Sequence, residues 1–124
     1  MAKTKPLAER MFLKPGSALL LIDAPAEQAM LFEGAAAQAN AAAGADVALL
    51  FTRIAQEVST QLPALLASLR PEARLWIAYP KAGKLGTDLN RDKLWKQVEA
   101  LGVAGVRIVS LDDTWAAMMF KRTS

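Results

Sequence analysis

Three short runs of nearly uninterrupted apolar residues set the rhythm of this chain. Residues 17–23 read Ser-Ala-Leu-Leu-Leu-Ile-Asp, 46–51 read Asp-Val-Ala-Leu-Leu-Phe, and 74–79 read Arg-Leu-Trp-Ile-Ala-Tyr. A run that does not alternate with polar residues marks a strand covered on both faces, as in the centre of a parallel sheet. Between the second and third runs, Ile54, Val58, Leu62, Leu65 and Leu69 follow at steps of four, four, three and four. That spacing lays one apolar stripe along a helix. Pro63 interrupts the stripe and predicts either a kink or the true first turn, and Arg70-Pro71 stops it. A second helix is predicted over about 88–101, with Leu94, Val98 and Leu101 as its stripe. Asp88 and Asp92 suit its positive end, Thr87 or Asp88 is expected to cap it, and Gly102 suits its C-cap.

The last quarter changes character. Residues 106–111 and 115–120 flank Asp112-Asp113-Thr114, which predicts a turn between antiparallel strands. At the other end, residues 6–13 fit a short helix with Pro6 in its first turn, and Lys14-Pro15-Gly16 then punctuates the chain. Segment 34–44 fits an alanine-favoured helix and a short edge strand equally well. Strands separated by helices make the fold α/β. A length of 124 residues suits one domain spanning 1–124, with its core over about 13–122 and residues 1–5 expected to be disordered.

Composition narrows the chemistry. There is no cysteine and no histidine, which removes the thiolate nucleophile, the usual proton shuttle at neutral pH and the commonest metal ligands. Acid–base work would fall to carboxylates, lysines or Tyr79. The basic start of the chain lacks the apolar core of a secretory signal. The longest apolar run, 18–22, is far too short to cross a bilayer, so the cytoplasm is the expected compartment and no membrane partner is expected. Fifteen basic residues against twelve acidic ones give a charge of +3. They form no stripe, so a solvated surface is favoured over a nucleic-acid footprint.

Leu13-Lys14-Pro15-Gly16 before one apolar strand, and Leu69-Arg70-Pro71-Glu72 before another, resemble class I methyltransferases, as does the closing hairpin. The resemblance is closer to a bacterial family of short proteins of unknown function with a truncated methyltransferase-like fold. It is carried by Ala78-Tyr79-Pro80-Lys81, by Thr87-Asp88-Leu89-Asn90-Arg91-Asp92 and by Asp112-Asp113-Thr114-Trp115. It implies a three-layer Rossmann-like, mostly parallel sheet with a C-terminal antiparallel hairpin, reduced by about one strand–helix unit. It implies no activity. Methyltransferases set a glycine-rich turn after the first strand, where backbone must approach S-adenosylmethionine without a Cβ clash. Here that turn reads Asp23-Ala24-Pro25-Ala26-Glu27. Pro25 adds a ring and removes a donor. No cofactor is therefore expected, although the fold leaves S-adenosylmethionine open.

In open α/β sheets, ligands sit beyond the carboxyl ends of the strands. That edge is expected to gather Asp23, Thr52, Arg53 and the loop from Lys81 through Lys84 to Thr87, with Asn90 and Arg91 beside the next helix start. Lysines and a helix start can hold an anion, but ordinary loop and capping roles are favoured. Asn90 and Arg91 suit an anion or a tie to Asp23 or Asp112, and an Arg–Asp pair is the favoured role. Asp112-Asp113 reads as turn chemistry rather than a metal site, and no residue is assigned a catalytic or metal-binding role. Trp76 is expected in the core, and Trp95 and Trp115 against the sheet or an interface. Residues 116–120 are too apolar for a strand with one wet face, which leaves room for a homo-oligomer. The favoured reading is a non-catalytic module binding a partner protein or a small anionic ligand. The alternative is a reduced S-adenosylmethionine-dependent methyltransferase completed by another subunit.

Overall fold

A computed structural model describes residues 18–30, 37–38, 44–69, 73–81 and 83–122. The predicted helix over 6–13, the Lys14-Pro15-Gly16 punctuation and the Arg70-Pro71 stop lie outside the described residues. The three apolar runs form β1 (Ala18–Ile22), β3 (Val47–Phe51) and β4 (Arg74–Pro80). A two-residue strand, β2 (Ala37–Gln38), lies parallel to β1 at the sheet edge. This realises the edge-strand alternative for part of 34–44. The hairpin strands are β5 (Val103–Ser110) and β6 (Trp115–Arg122). The six strands run in the order β2-β1-β3-β4-β6-β5, with β6 antiparallel to both its neighbours. The fold is thus the reduced Rossmann-like α/β sheet with a terminal hairpin that the pattern and the resemblance implied.

Among the described residues, three α-helices connect the strands: α1 (Ala26–Ala29), α2 (Ala55–Ser68) and α3 (Arg91–Glu99). Val58, Leu62 and Leu65 of α2 join Leu94 and Val98 of α3 in one core cluster, together with Leu50 and Ile77 from the sheet. The opposite face of the sheet carries Leu49, Trp76, Trp115 and Ala117, with Ala24 packed against them where the chain enters α1. Full burial of side chains this size stabilises by about 1.5–3 kcal/mol each before the cost of ordering the chain.

Several expectations need correction. Pro63 stands inside α2 and is not its first turn, and Ile54 is that helix's exposed N-cap residue rather than part of the stripe. Helix α3 starts at Arg91, capped by Asn90, whose Oδ1 accepts from the Lys93 N–H at 2.9 Å. Asp88 caps the other helix, its Oδ1 accepting from the Ala55 N–H. Thr87 Oγ1 accepts from the Leu89 N–H and closes a local turn. Strand β5 begins at Val103, three residues earlier than its pattern predicts, because a register shift between Gly105 and Arg107 breaks the alternation. The apolar run 116–120 lies in an interior strand, buried on both faces within one chain. Its composition therefore requires no second subunit. Trp95 of α3 packs over Gly105, where a Cβ would come within 3.1 Å of the indole ring.

Candidate functional site

The chain leaves β1 outward to β2 and returns on its other side as β3. Beyond the carboxyl ends of β1, β3 and β4 lie three loops, joined there by the β5–β6 turn. The first loop is a tight structure. Asp23 takes a left-handed conformation at φ 57°, uncommon for a residue with a side chain. Pro25 precedes α1 and has no N–H, and its carbonyl accepts from the N–H groups of both Gln28 and Ala29 at 2.9 Å.

Gln28 is 2% exposed. Its Nε2 donates to Asp112 Oδ2 at 2.6 Å, although β3 and β4 separate β1 from β6 in the sheet. The other oxygen of Asp112 accepts from the Thr114 and Trp115 N–H groups at 2.8 Å. Burial pushes the Asp112 carboxyl up, but the Trp115 N–H, Gln28, the Thr114 N–H and the Lys81 charge outweigh it and hold it below its ordinary value. The expected turn role of Asp112 is thus realised, with a long-range partner added. Sequence reasoning missed Gln28, since a lone glutamine near a helix start carries no signal of what it will meet.

Thr52 is fully buried, and both its N–H and its hydroxyl donate to the Ala78 carbonyl. It therefore ties β3 to β4 and offers no donor to a ligand. Arg53 is exposed, and its N–H donates to Glu57 at the start of α2. The described residues of the 81–87 loop bond both to one another and, through the Lys81 N–H to the Thr114 carbonyl, to the hairpin turn. Lys81 O accepts from the Lys84 N–H, and Lys84 O from the Thr87 N–H. Gly83, Leu85 and Gly86 all have positive φ there. Lys84 and Thr87 are not part of the lining of the cleft that holds Lys81.

Lys81, Asn90 and Arg91 do come together. With Tyr79 and Asp92 they line an open cleft of about 300 Å³ at the carboxyl end of β4. Lys81 Nζ donates to Ser110 Oγ at 2.8 Å. The expected tie from Arg91 to Asp23 or Asp112 is not made. Arg91 Nε instead reaches the adjacent Asp92 Oδ1 at 3.4 Å, with both side chains mostly exposed, a pair that contributes little to stability. The fold itself places Arg91 by starting α3 at this wall. Burial pushes the Tyr79 hydroxyl pKa up, and the nearby Arg91 charge partly offsets that. The phenol therefore stays protonated through neutral pH as a donor. Among the described residues no group of three carboxylates could hold a metal ion, and no helix is long and apolar enough to cross a membrane.

No family model matches the chain, and no curated protein matches it. Solved structures do. The chain is similar over 98% of its length to the B. subtilis tRNA methyltransferase TrmK, at 10% identity and a TM-score of 0.57, covering 67% of that protein. Over 95% of its length it is similar to the Burkholderia thailandensis 1,6-didemethyltoxoflavin-N1-methyltransferase, solved with S-adenosylhomocysteine bound. That match has 13% identity and a TM-score of 0.56, and covers 75% of that chain. A ribosomal-protein methylase from Lactobacillus delbrueckii subsp. bulgaricus matches at 11% identity and a TM-score of 0.53, over 94% of this chain and 74% of that one. At these identities the likeness concerns the fold, which is methyltransferase-like.

Proposed function

We propose that this chain is a methyltransferase-shaped binding domain that holds a small anion in the Tyr79–Asp92 cleft and transfers no methyl group. The observation that carries this reading is the convergence of Lys81 and Arg91 on one cleft beside Asn90 and the start of α3. Two cations and a positive helix end favour a phosphate or carboxylate. The buried phenol of Tyr79 adds a donor for such a group. The carrying string Thr87-Asp88-Leu89-Asn90-Arg91-Asp92 ends in this wall, and kinship with short bacterial proteins of truncated methyltransferase-like fold belongs to the same proposal.

The turn after β1 does not fit S-adenosylmethionine in this reading. Pro25 has no N–H there, the Gln28 and Ala29 N–H groups are taken by the Pro25 carbonyl, and Asp23 sets a Cβ and a carboxylate in a left-handed position. A bound cofactor would need backbone approach where these groups stand. The competing reading, a reduced methyltransferase, rests on the similar fold of enzymes such as the one solved with S-adenosylhomocysteine.

Two titrations followed by amide NMR separate the readings. Pyrophosphate is expected to shift the amides of residues 79–92, and Arg91→Ala to weaken that response about tenfold, the loss of one charge-assisted contact. S-adenosylhomocysteine is expected to leave residues 23–29 unmoved. Micromolar binding of S-adenosylhomocysteine at that turn would replace the proposal with the enzyme reading. An unchanged pyrophosphate response in Arg91→Ala would remove the cleft from it.

A further inference from the structure

The Tyr79–Asp92 cleft is not uniformly positive, and the pattern of signs in its lining says more about a ligand than the net charge does. Lys81, Arg91 and the Tyr79 hydroxyl are donors, and Asp92 adds a carboxylate to the same lining. The acceptors differ in how far they are already used. Asn90 Oδ1 is taken by the Lys93 N–H at 2.9 Å. Asp92 has one partner among the described residues, Arg91 Nε, which reaches Oδ1 alone at 3.4 Å. Its side chain is 80% exposed, so a ligand's donor can reach it. Asp112 is the contrast. The Lys81 charge reaches it, but its two oxygens are occupied by Gln28 and by the Thr114 and Trp115 N–H groups, and it does not line the cleft. The cleft thus offers cations from β4 and α3 and one carboxylate with an oxygen to spare.

A bare anion seated between Lys81 and Arg91 lies beside Asp92 and is repelled by it. A ligand that also carries a cation turns that repulsion into a charge-assisted hydrogen bond. Volume points the same way. The cleft holds about 300 Å³, the lower bound of small-molecule pockets at about 300–1,000 Å³, which is room for a molecule with two ends.

We infer that the ligand of this cleft is a short zwitterion, with a phosphate for Lys81 and Arg91 and an ammonium for Asp92. The inference rests on the anion-binding reading above and adds the second charge to it. Asp92 then selects among anions, favouring those that carry a cation and disfavouring those that do not. Its place in the first turn of α3 also stabilises that helix end, a role that is blind to the ligand's far end.

The test is an amide NMR titration of the full chain with 3-aminopropyl phosphate and with butyl phosphate, which match in shape and differ in the terminal charge. Pyrophosphate is the reference. 3-Aminopropyl phosphate is expected to bind about fourfold more tightly than butyl phosphate, the worth of one exposed ion pair. In Asp92→Asn the two should bind equally, with butyl phosphate held at least as tightly as in the wild type because the repulsion is gone. Asp92→Ser, a second change at this exposed position, should erase the difference as well. Equal binding of the two phosphates by the wild type would overturn the inference. So would a fourfold ratio that survives in both variants, the result expected if Asp92 serves only the helix end. In either case a pyrophosphate response that depends on Arg91 leaves the anion-binding reading standing. If pyrophosphate shifts no amide of residues 79–92, that reading falls and the inference with it.

Discussion

Two loops leave the carboxyl edge of one sheet within a few strands of each other, and their polar groups have opposite fates. After β1, the chain turns through Asp23 at positive φ, the Pro25 carbonyl accepts from the Gln28 and Ala29 N–H groups, and Gln28 Nε2 donates across to Asp112 while its Oε1 is buried without a hydrogen-bond partner. After β4, Lys81, Asn90 and Arg91 meet around open space. Both loops carry charged and amide side chains. What differs is burial: Gln28 is 2% exposed, whereas Arg91 and Asp92 are mostly exposed. A buried glutamine must find a partner or lose about 1–3 kcal/mol, so Gln28 is drawn to Asp112. Arg91 and Asp92 are exposed and face no such cost. On the proposed reading, the inward-bonded loop is structural and the open one takes the ligand.

The comparison breaks most completely if the support common to both loops is removed. Trp76 is fully buried, paired in register with Leu49 of β3 and Met119 of β6. Trp76→Ala is expected to cost about 3–5 kcal/mol in urea unfolding, taking the Gln28–Asp112 contact and the cleft down together. A loss below about 1 kcal/mol would show that the two loops do not share this support.

Next in size is Gln28→Glu, which sets a second carboxylate where the amide now donates to Asp112 at 2.6 Å. The expected loss is about 2 kcal/mol at neutral pH. The pH slopes should then oppose each other. In the wild type, Asp112 has a lowered pKa, so its stabilisation is present above the unfolded carboxylate value and fades as pH falls through the lower folded one. In the variant, the carboxyl pair has a raised folded pKa, so stability is recovered as pH falls through that value. Thermal melts between about pH 7 and pH 3 read both slopes. Parallel slopes would mean that the two groups do not meet in solution. The pyrophosphate response of residues 79–92 should survive in this variant at a temperature where it is folded.

Asn90→Ala acts on the open loop alone. Losing its cap on the Lys93 N–H is expected to cost about 1 kcal/mol by denaturant melt, and to blunt the pyrophosphate response because the start of α3 frays. The smallest effect is expected at Lys84, exposed and outside the cleft. Lys84→Ala should change stability by less than about 0.5 kcal/mol and leave pyrophosphate binding as it was. A large loss of binding there would extend the site into the 81–87 loop.

Much of the architecture was legible in the residues. Unbroken apolar runs at 17–23, 46–51 and 74–79 became β1, β3 and β4, because a strand covered on both faces leaves no position for a polar residue. The stripe Val58, Leu62, Leu65 became the buried face of α2, and Asp112-Asp113-Thr114 became the hairpin turn. Lys81, Asn90 and Arg91 were also legible as neighbours, since a strand end and the next helix start are close in any α/β unit. Thr52 and Lys84 carried the same polar character and drew the same expectation, yet one is buried in a sheet tie and the other stands apart.

Local pattern, then, determined the elements and their order along the chain, because periodicity and turn chemistry act over a few residues. Tertiary structure alone decided which polar groups far apart in the chain bond to each other. Gln28 meets Asp112 across two intervening strands, Asp88 caps α2 rather than α3, and Trp95 settles over Gly105. Each of those pairings is set by the packing of the sheet and its helices, and the enthalpy of satisfying a buried polar group depends on what that packing brings within about 3 Å.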